Sequence, residues 1–224
     1  MVTGGSGFIG SNLVEYLLEA YPEYDVLNVS KHTYAMNPKT LEHLESNKHY
    51  KFVALDITDE LAFYNLLFAW NVEQIFHLAA ETHVDRSFLY PKDFLTANLI
   101  GTFSILEVLR KIPKTMRPRL LYMSTDEVFG DVPHPIKCKE NDVLAPRNPY
   151  SVTKAAAEMY VNAYHHSFGL DTVVARSMNN FGPRQHTEKL IGKIITRCLT
   201  DTSFTLFKGG ALSLIHISEP TRPY

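Results

Sequence analysis

Apolar residues in this chain fall into two alternating patterns. Short apolar or β-branched runs bounded by turn formers predict strands at residues 25–29, 51–55, 74–78, 119–124 and 172–175. Between them, apolar residues spaced three and four apart predict helices at 11–19, 59–69, 91–109 and 150–168. Met1-Val2-Thr3 reads as the end of a further strand, shorter than the roughly five residues a strand usually has. Residues 131–147, rich in proline and charge, read as a loop, and no internal repeat interrupts the alternation. Strands alternating with helices imply right-handed crossovers and a parallel sheet covered on both faces. The expected class is α/β, a doubly wound parallel sheet. Chemistry in such folds gathers beyond the carboxyl ends of the strands, where Ala79-Ala80-Glu81, Ser124 to Glu127 and Asn179-Asn180 all fall.

The first turn carries the first candidate site. Thr3-Gly4-Gly5-Ser6-Gly7-Phe8-Ile9-Gly10 can be spaced from Gly4 or from Gly5, with Gly7 and Gly10 common to both readings. Either reading allows a tight strand-to-helix turn that brings backbone amides and a helix amino end to a pyrophosphate. The next expected contact is an acidic residue on the adenosine ribose, about 20 residues beyond the last glycine. Ser30 stands there instead. Its hydroxyl can bond a ribose hydroxyl but lacks the charge that repels a 2'-phosphate, and Lys31 follows it. NAD is favoured, and NADP stays open. Asp56, after the third strand, is a candidate for the adenine end, with a role at the next helix terminus as its plain alternative.

Tyr150 and Lys154 lie four apart behind Pro149, a residue suited to the first helical position, so they share one helix face. A lysine ammonium near a phenol favours phenolate, which suits Tyr150 to take a proton from a sugar hydroxyl. Chance occurrence on an amphipathic helix is the competing reading of this pair alone.

Composition narrows the partners. The chain has 224 residues, 45 % of them hydrophobic, and a formal charge of −2, with no run of lysine or arginine. That charge pattern argues against nucleic acid. Cys138 and Cys198 are too few for a disulfide framework or a cysteine metal site, the ten histidines show no ligand spacing, and no metal is expected. No apolar run reaches a membrane span, so no membrane partner is expected and a cytoplasmic location is.

Five segments carry a family resemblance: residues 3–11, 77–87, 124–131, 150–154, and 179–183 leading to 188–191. On them the chain resembles the extended short-chain dehydrogenase/reductase family, a Rossmann-like, NAD(P)-binding fold. Within it the chain looks most like the 4,6-dehydratases of dTDP-glucose. Related epimerases and decarboxylases share the glycine turn and the Tyr150–Lys154 pair but resemble Asp126-Glu127 much less. The resemblance implies that Tyr150, helped by Lys154 and the Thr125 hydroxyl, deprotonates the 4-hydroxyl as hydride leaves C4. Glu127 then takes the C5 proton, a protonated Asp126 protonates the leaving 6-hydroxyl, and the hydride returns to C6. Both carboxyls can reach one substrate only if they lie in the loop past the strand.

By the same resemblance Gly4, Gly7, Phe8, Ile9, Gly10, Ser30, Lys31, Thr33, Asp56, Ile57, Ala79, Ala80, Asn98, Tyr150 and Lys154 are expected around the cofactor. Ser87, Asn179, Glu188, Lys189 and Leu190 are expected at the nucleotide sugar. Each has a structural alternative: small core residues at Ala79 and Ala80, a helix bridge at Asn98, a surface helix opening at Glu188 and Lys189. The two long helices resemble those through which family members form homodimers. Rival readings are a UDP-glucose or GDP-mannose dehydratase, an epimerase, or an inactive NAD-binding fragment.

The sequence also departs from the family pattern. Ser30 replaces an acid, Met36 a glycine, and Phe129 and Phe181 tyrosines. Residues 1–209 are expected to form the NAD(P)-binding domain with part of the substrate site, the C-terminal substrate region being mostly missing. Residues 210–224 resemble nothing in the family and read as translated adapter sequence. With each missing buried aliphatic residue forfeiting roughly 1.5–3 kcal/mol, the expectation is a weakened enzyme.

Overall fold

The computed structural model describes residues 1–31, 38–133 and 135–203. Thr33, Met36 and the tail 210–224 lie outside the described residues.

Six parallel strands form one sheet in the order β3-β2-β1-β4-β5-β6. They are β1 (Val2–Thr3), β2 (Val26–Ser30), β3 (Tyr50–Ala54), β4 (Gln74–His77), β5 (Arg119–Thr125) and β6 (Thr172–Ser177). The expected doubly wound sheet is thus present, and the order reverses between β1 and β4, where such folds place their ligands.

Short as it is, β1 is central. Val2 pairs with Asn28 on one side and Phe76 on the other, and Thr3 with Val29 and His77. Thr3 Oγ1 also meets His77 Nδ1 at 2.7 Å. Val2 is fully buried, worth roughly 1.5–3 kcal/mol.

Each sheet face is covered. On one, Val2, Val14, Val26 and Tyr50 form a cluster beneath α1 (Phe8–Ala20). On the other, α2 (Glu60–Ala69), a helical segment beginning at Pro91 and α6 (Pro149–Phe168) pack Phe63, Leu67, Ile105, Leu109, Ala157 and Val161 onto Ile75, Leu120 and Tyr122.

Several boundaries differ from expectation. Helix α1 begins at Phe8 rather than residue 11, because Gly7 is the cap and Gly10 lies inside the first turn. Strands β5 and β6 run one and two residues further than expected, in register with each other from Leu120–Thr172 to Thr125–Ser177. The expected helix over 91–109 is three pieces: α4 (Pro91–Phe94), a π turn over Leu95–Ile100 and α5 (Gly101–Lys111). Two helices were not expected as such, α3 (Val84–Leu89) and α7 (Leu190–Leu199). The surface helix allowed as an alternative at Glu188 and Lys189 opens just after them. None of the described helices is long and apolar enough to cross a membrane.

Candidate active site

The glycine turn leads from β1 into α1. Gly4 has φ +72°, and a Cβ there would stand 2.7 Å from the Ala79 backbone. At Gly10 a Cβ would come within 2.2 Å of the Gly4 carbonyl oxygen. The turn is therefore closed against its own backbone and against the end of β4. Gly7 caps α1 without a side-chain hydrogen bond, and no acidic residue occupies the first turn, so the amino-end amides face outward with their partial positive charge.

Ser30 ends β2, as expected, but its hydroxyl is engaged locally: it accepts from Ser6 N at 3.1 Å and donates to Asn28 Oδ1 at 3.0 Å. The side chain ties the glycine turn to β2. Lys31 reaches Asp56 at 2.6 Å, while the other Asp56 oxygen accepts from the Thr58 amide and hydroxyl. These bonds hold the Asp56 carboxyl below its usual range against the opposing effect of partial burial. The cap of α2 is Asp59, which accepts from Ala62 N, so Asp56 forms the preceding turn. Ile57 is buried core against Gly101.

Asn98 sits in the π turn. Its carboxamide accepts from Glu81 N and donates to Glu81 O and Thr153 Oγ1, joining the segment after β4 to α6. The bridge runs out of the long helix rather than inside it, and π turns occur often at functional sites.

The catalytic candidates converge at the end of β5. Asp126 and Glu127 lie beyond the strand in a 3-10 turn (Asp126–Phe129), where the alternation of a strand no longer separates them. Thr125 caps that turn through Glu127 N and also bonds Asp126 Oδ1. The Thr125 hydroxyl also acts on the Tyr150 phenol, drawing its pKa down. Glu127 Oε2 accepts from Asn148 Nδ2 at 3.0 Å. Burial pushes the Glu127 carboxyl up, Asp126 adds to the rise, and Asn148 and Lys189 oppose it.

Tyr150 and Lys154 occupy the first turns of α6, but their electrostatics differ from the sequence expectation. Burial and the charge of Glu127 push the Tyr150 phenol well above its ordinary value, with only the Thr125 bond pulling it down. Lys154 Nζ donates to Met123 O at 2.5 Å and lies 4.4 Å from the Tyr122 ring centre. Burial drops its pKa to about 7 despite the pull of Glu158. The i, i+4 spacing fixed the shared face; the Met123 carbonyl at the strand end sets where the ammonium goes.

The remaining substrate candidates divide. Lys189 Nζ bonds Thr82 O at 2.9 Å and acts electrostatically on Glu127, so it joins the cluster. Glu188 lies 3.7 Å from His83 and 3.8 Å from His186. Leu190 opens α7, and Asn179 is exposed just past β6. Ser87 is buried with its hydroxyl on Val84 O inside α3. The segment from Asn179 to Leu190 is tied to α1 by Asn12 Nδ2 to Pro183 O and by an Arg184–Glu15 ion pair.

Two features had no counterpart in the sequence reading. Asn148 is the cap of α6 and the partner of Glu127 at once. Glu158, fully buried on α6, pairs with Arg176 of β6, whose guanidinium also bonds Glu140 O and lies over the Phe129 ring. Asn148 before Pro149, with Ser151 three residues on, was a legible capping signal; its second contact was not.

The chain is similar to known proteins. A family model described as GDP-mannose 4,6 dehydratase matches residues 1–209. A dTDP-glucose 4,6-dehydratase of Escherichia coli is 38 % identical, the match covering 94 % of this chain and 62 % of that protein. The low-salt glycan biosynthesis protein Agl12 of Haloferax volcanii is 40 % identical, over 94 % of this chain and 66 % of its own length. The solved structure of a double mutant of the dTDP-glucose 4,6-dehydratase DesIV from Streptomyces venezuelae, with NAD bound, superposes with a TM-score of 0.87 at 36 % identity, covering 94 % of this chain and 65 % of that one. The chain thus spans less than two thirds of the length of these relatives.

Proposed function

The chain belongs to the GDP-mannose 4,6-dehydratase family, and from that premise we propose that it is an NAD-dependent nucleotide-sugar 4,6-dehydratase whose substrate is dTDP-glucose. The observation that carries this reading is the Asp126-Glu127 turn, capped by Thr125 and close enough to Tyr150 for Glu127, Thr125 and Asp126 all to act on its phenol. The relatives named as dTDP-glucose 4,6-dehydratases support the choice of sugar nucleotide.

The residues present fit a dinucleotide. The glycine turn offers uncapped amides at the start of α1, and the Ser124 hydroxyl at the end of β5 is buried with no hydrogen-bond partner among the described residues. The amino-end residues Gly4, Gly7, Phe8, Ile9 and Gly10 would hold the pyrophosphate, with Lys31, Asp56, Ile57, Ala79, Ala80 and Asn98 around the remainder. When bound, the nicotinamide supplies the redox chemistry, accepting a hydride from C4 of the sugar and returning it to C6.

The protein supplies the proton chemistry. Thr125 and Tyr150 face the 4-hydroxyl, and Tyr150 takes its proton. Burial and Glu127 make that phenol hard to ionise; Lys154, whose ammonium is held by Met123 O, and the positive charge of a bound cofactor would have to offset them. The resulting 4-ketone acidifies C5. Glu127 takes the C5 proton, the electron pair of that C–H bond forms the C5–C6 double bond, and the C6–O bond breaks. Asp126 gives a proton to the departing hydroxyl, which leaves as water. The proton on Glu127 then serves C5 as C6 is reduced. A raised carboxyl pKa makes ionised Glu127 the stronger base. Lys189, Glu188, Leu190, Asn179 and Ser87 are the proposed contacts to the nucleotide sugar.

Homodimerisation through α4, α5 and α6 forms part of the same reading. It is supported by exposed Leu95 and Ile100 on one long helical segment and Val152, Met159 and Tyr160 on α6. Sedimentation showing only monomer at micromolar concentration would contradict it.

The test of the function is a substrate panel. Purified protein with NAD is expected to convert dTDP-glucose to its 4-keto-6-deoxy product at least tenfold faster than UDP-glucose or GDP-mannose, followed by NMR. Epimerised product, or a preference for another sugar nucleotide, would overturn it.

A further inference from the structure

Asn148 occupies a position where two different demands meet. As the cap of α6, its Oδ1 accepts from Ser151 N at 2.8 Å, and Ser151 Oγ in turn accepts from Asn148 N at 3.2 Å. This reciprocal box fixes the orientation of the carboxamide, because a backbone N–H requires an oxygen opposite it. The amide nitrogen must therefore point the other way. There it donates to Glu127 Oε2 at 3.0 Å. That bond holds the carboxylate through Oε2 and still leaves it lone pairs with which to take a proton.

We infer that Asn148 is a positioning residue for Glu127: it locks the proton-abstracting carboxylate to the amino end of the helix that carries Tyr150, so that the redox and elimination groups keep one spacing. Its role in elimination rests on the dehydratase reading. The contact itself does not, since it joins the turn after β5 to α6 directly.

The charge environment explains why such a lock is useful. Glu127 shares its turn with Asp126, faces Tyr150 from α6 and lies within reach of the Lys189 charge ahead of α7. Burial and Asp126 favour the protonated, inactive form. The Asn148 donor and Lys189 favour the ionised base. A serine at position 148 keeps the cap, because its hydroxyl serves the same amide, but it has no nitrogen to extend to Glu127. An aspartate keeps the cap too and sets a second negative charge against Glu127.

The variants Asn148→Ser and Asn148→Asp therefore separate capping from positioning. Both are expected to fold with a thermal midpoint close to the parent. In Asn148→Ser, elimination of water is expected to slow ten- to a hundredfold, with the acidic limb of its pH profile displaced upward by about one unit. Asn148→Asp is expected to shift that limb further. Carbon NMR of the labelled Glu127 carboxyl, in protein without substrate, is expected to show the same upward order of titration midpoints. Unchanged Glu127 titration in both variants would overturn the inference. If the parent turns over no nucleotide sugar, the proposed reaction fails, and the carboxyl titration still decides the part played by Asn148.

Discussion

His77 lies on β4 with 1 % of its surface exposed, held by Thr3 Oγ1 on one ring nitrogen and Thr102 Oγ1 at 3.0 Å on the other. Burial, with the charge of Lys154, lowers its pKa from 6.5 to about 3. The unfolded chain therefore binds more protons than the folded one between those values. The stability from neutral His77 is complete above about pH 6.5 and is lost as pH falls toward 3, by up to roughly 1.4 kcal/mol per pH unit. Urea midpoints at pH 7 and pH 4.5 are expected to fall less far apart in His77→Gln than in the parent; an equal or larger gap would contradict this. In the sequence this histidine only opens the 77–87 segment of the family resemblance; its buried contact was not legible, because its partner Thr3 lies 74 residues away. By contrast, Tyr150 and Lys154 were legible because helix geometry fixes neighbours four apart. What the spacing left out was the carbonyl of Met123, which draws the ammonium into the strand end.

At the scale of elements, α6 bears Tyr150 and Lys154 and is held at both ends. Its start is set by the Asn148 cap with Pro149 in the first turn, and its end by Gly169 at φ +64°. Its middle is joined to β6 by Glu158 and Arg176, the former fully buried and the latter with 18 % of its side chain exposed. Glu158→Ala would leave the guanidinium without its partner, and the expected loss is about 3–5 kcal/mol in chemical denaturation. Replacing both by apolar residues of similar size is expected to cost much less; an equal cost would show that the pair is not the source. The ends of α6 were legible as punctuation in the sequence. The π turn in the preceding long helix was not, because a single inserted residue changes the helical period too little to show. Helix α3 escaped for a related reason: with six residues it is too short to establish a period.

The whole molecule arranges its chemistry around the reversal of strand order between β1 and β4. The glycine turn leaves β1, Ala79 and Ala80 leave β4, the Asp126-Glu127 turn leaves β5, and the segment from Asn179 to Leu190 leaves β6. This convergence was legible, since alternating strands and helices admit few topologies and place loop residues at one end of the sheet. The contacts that turn the convergence into a working site, Glu127 with Asn148 and Lys189 with Thr82, depend on loop paths that periodicity does not describe.

The proposed function separates the site into a redox half, Tyr150 with Lys154, and an elimination half, Asp126 with Glu127. A single-turnover experiment on Glu127→Gln with dTDP-glucose tests that division most directly, following bound NADH by absorbance and product by NMR. The expected result is NADH formation close to the parent level, with loss of water slowed by at least about a hundredfold. Normal formation of the 4-keto-6-deoxy sugar by this variant, or failure to form NADH at all, would contradict it.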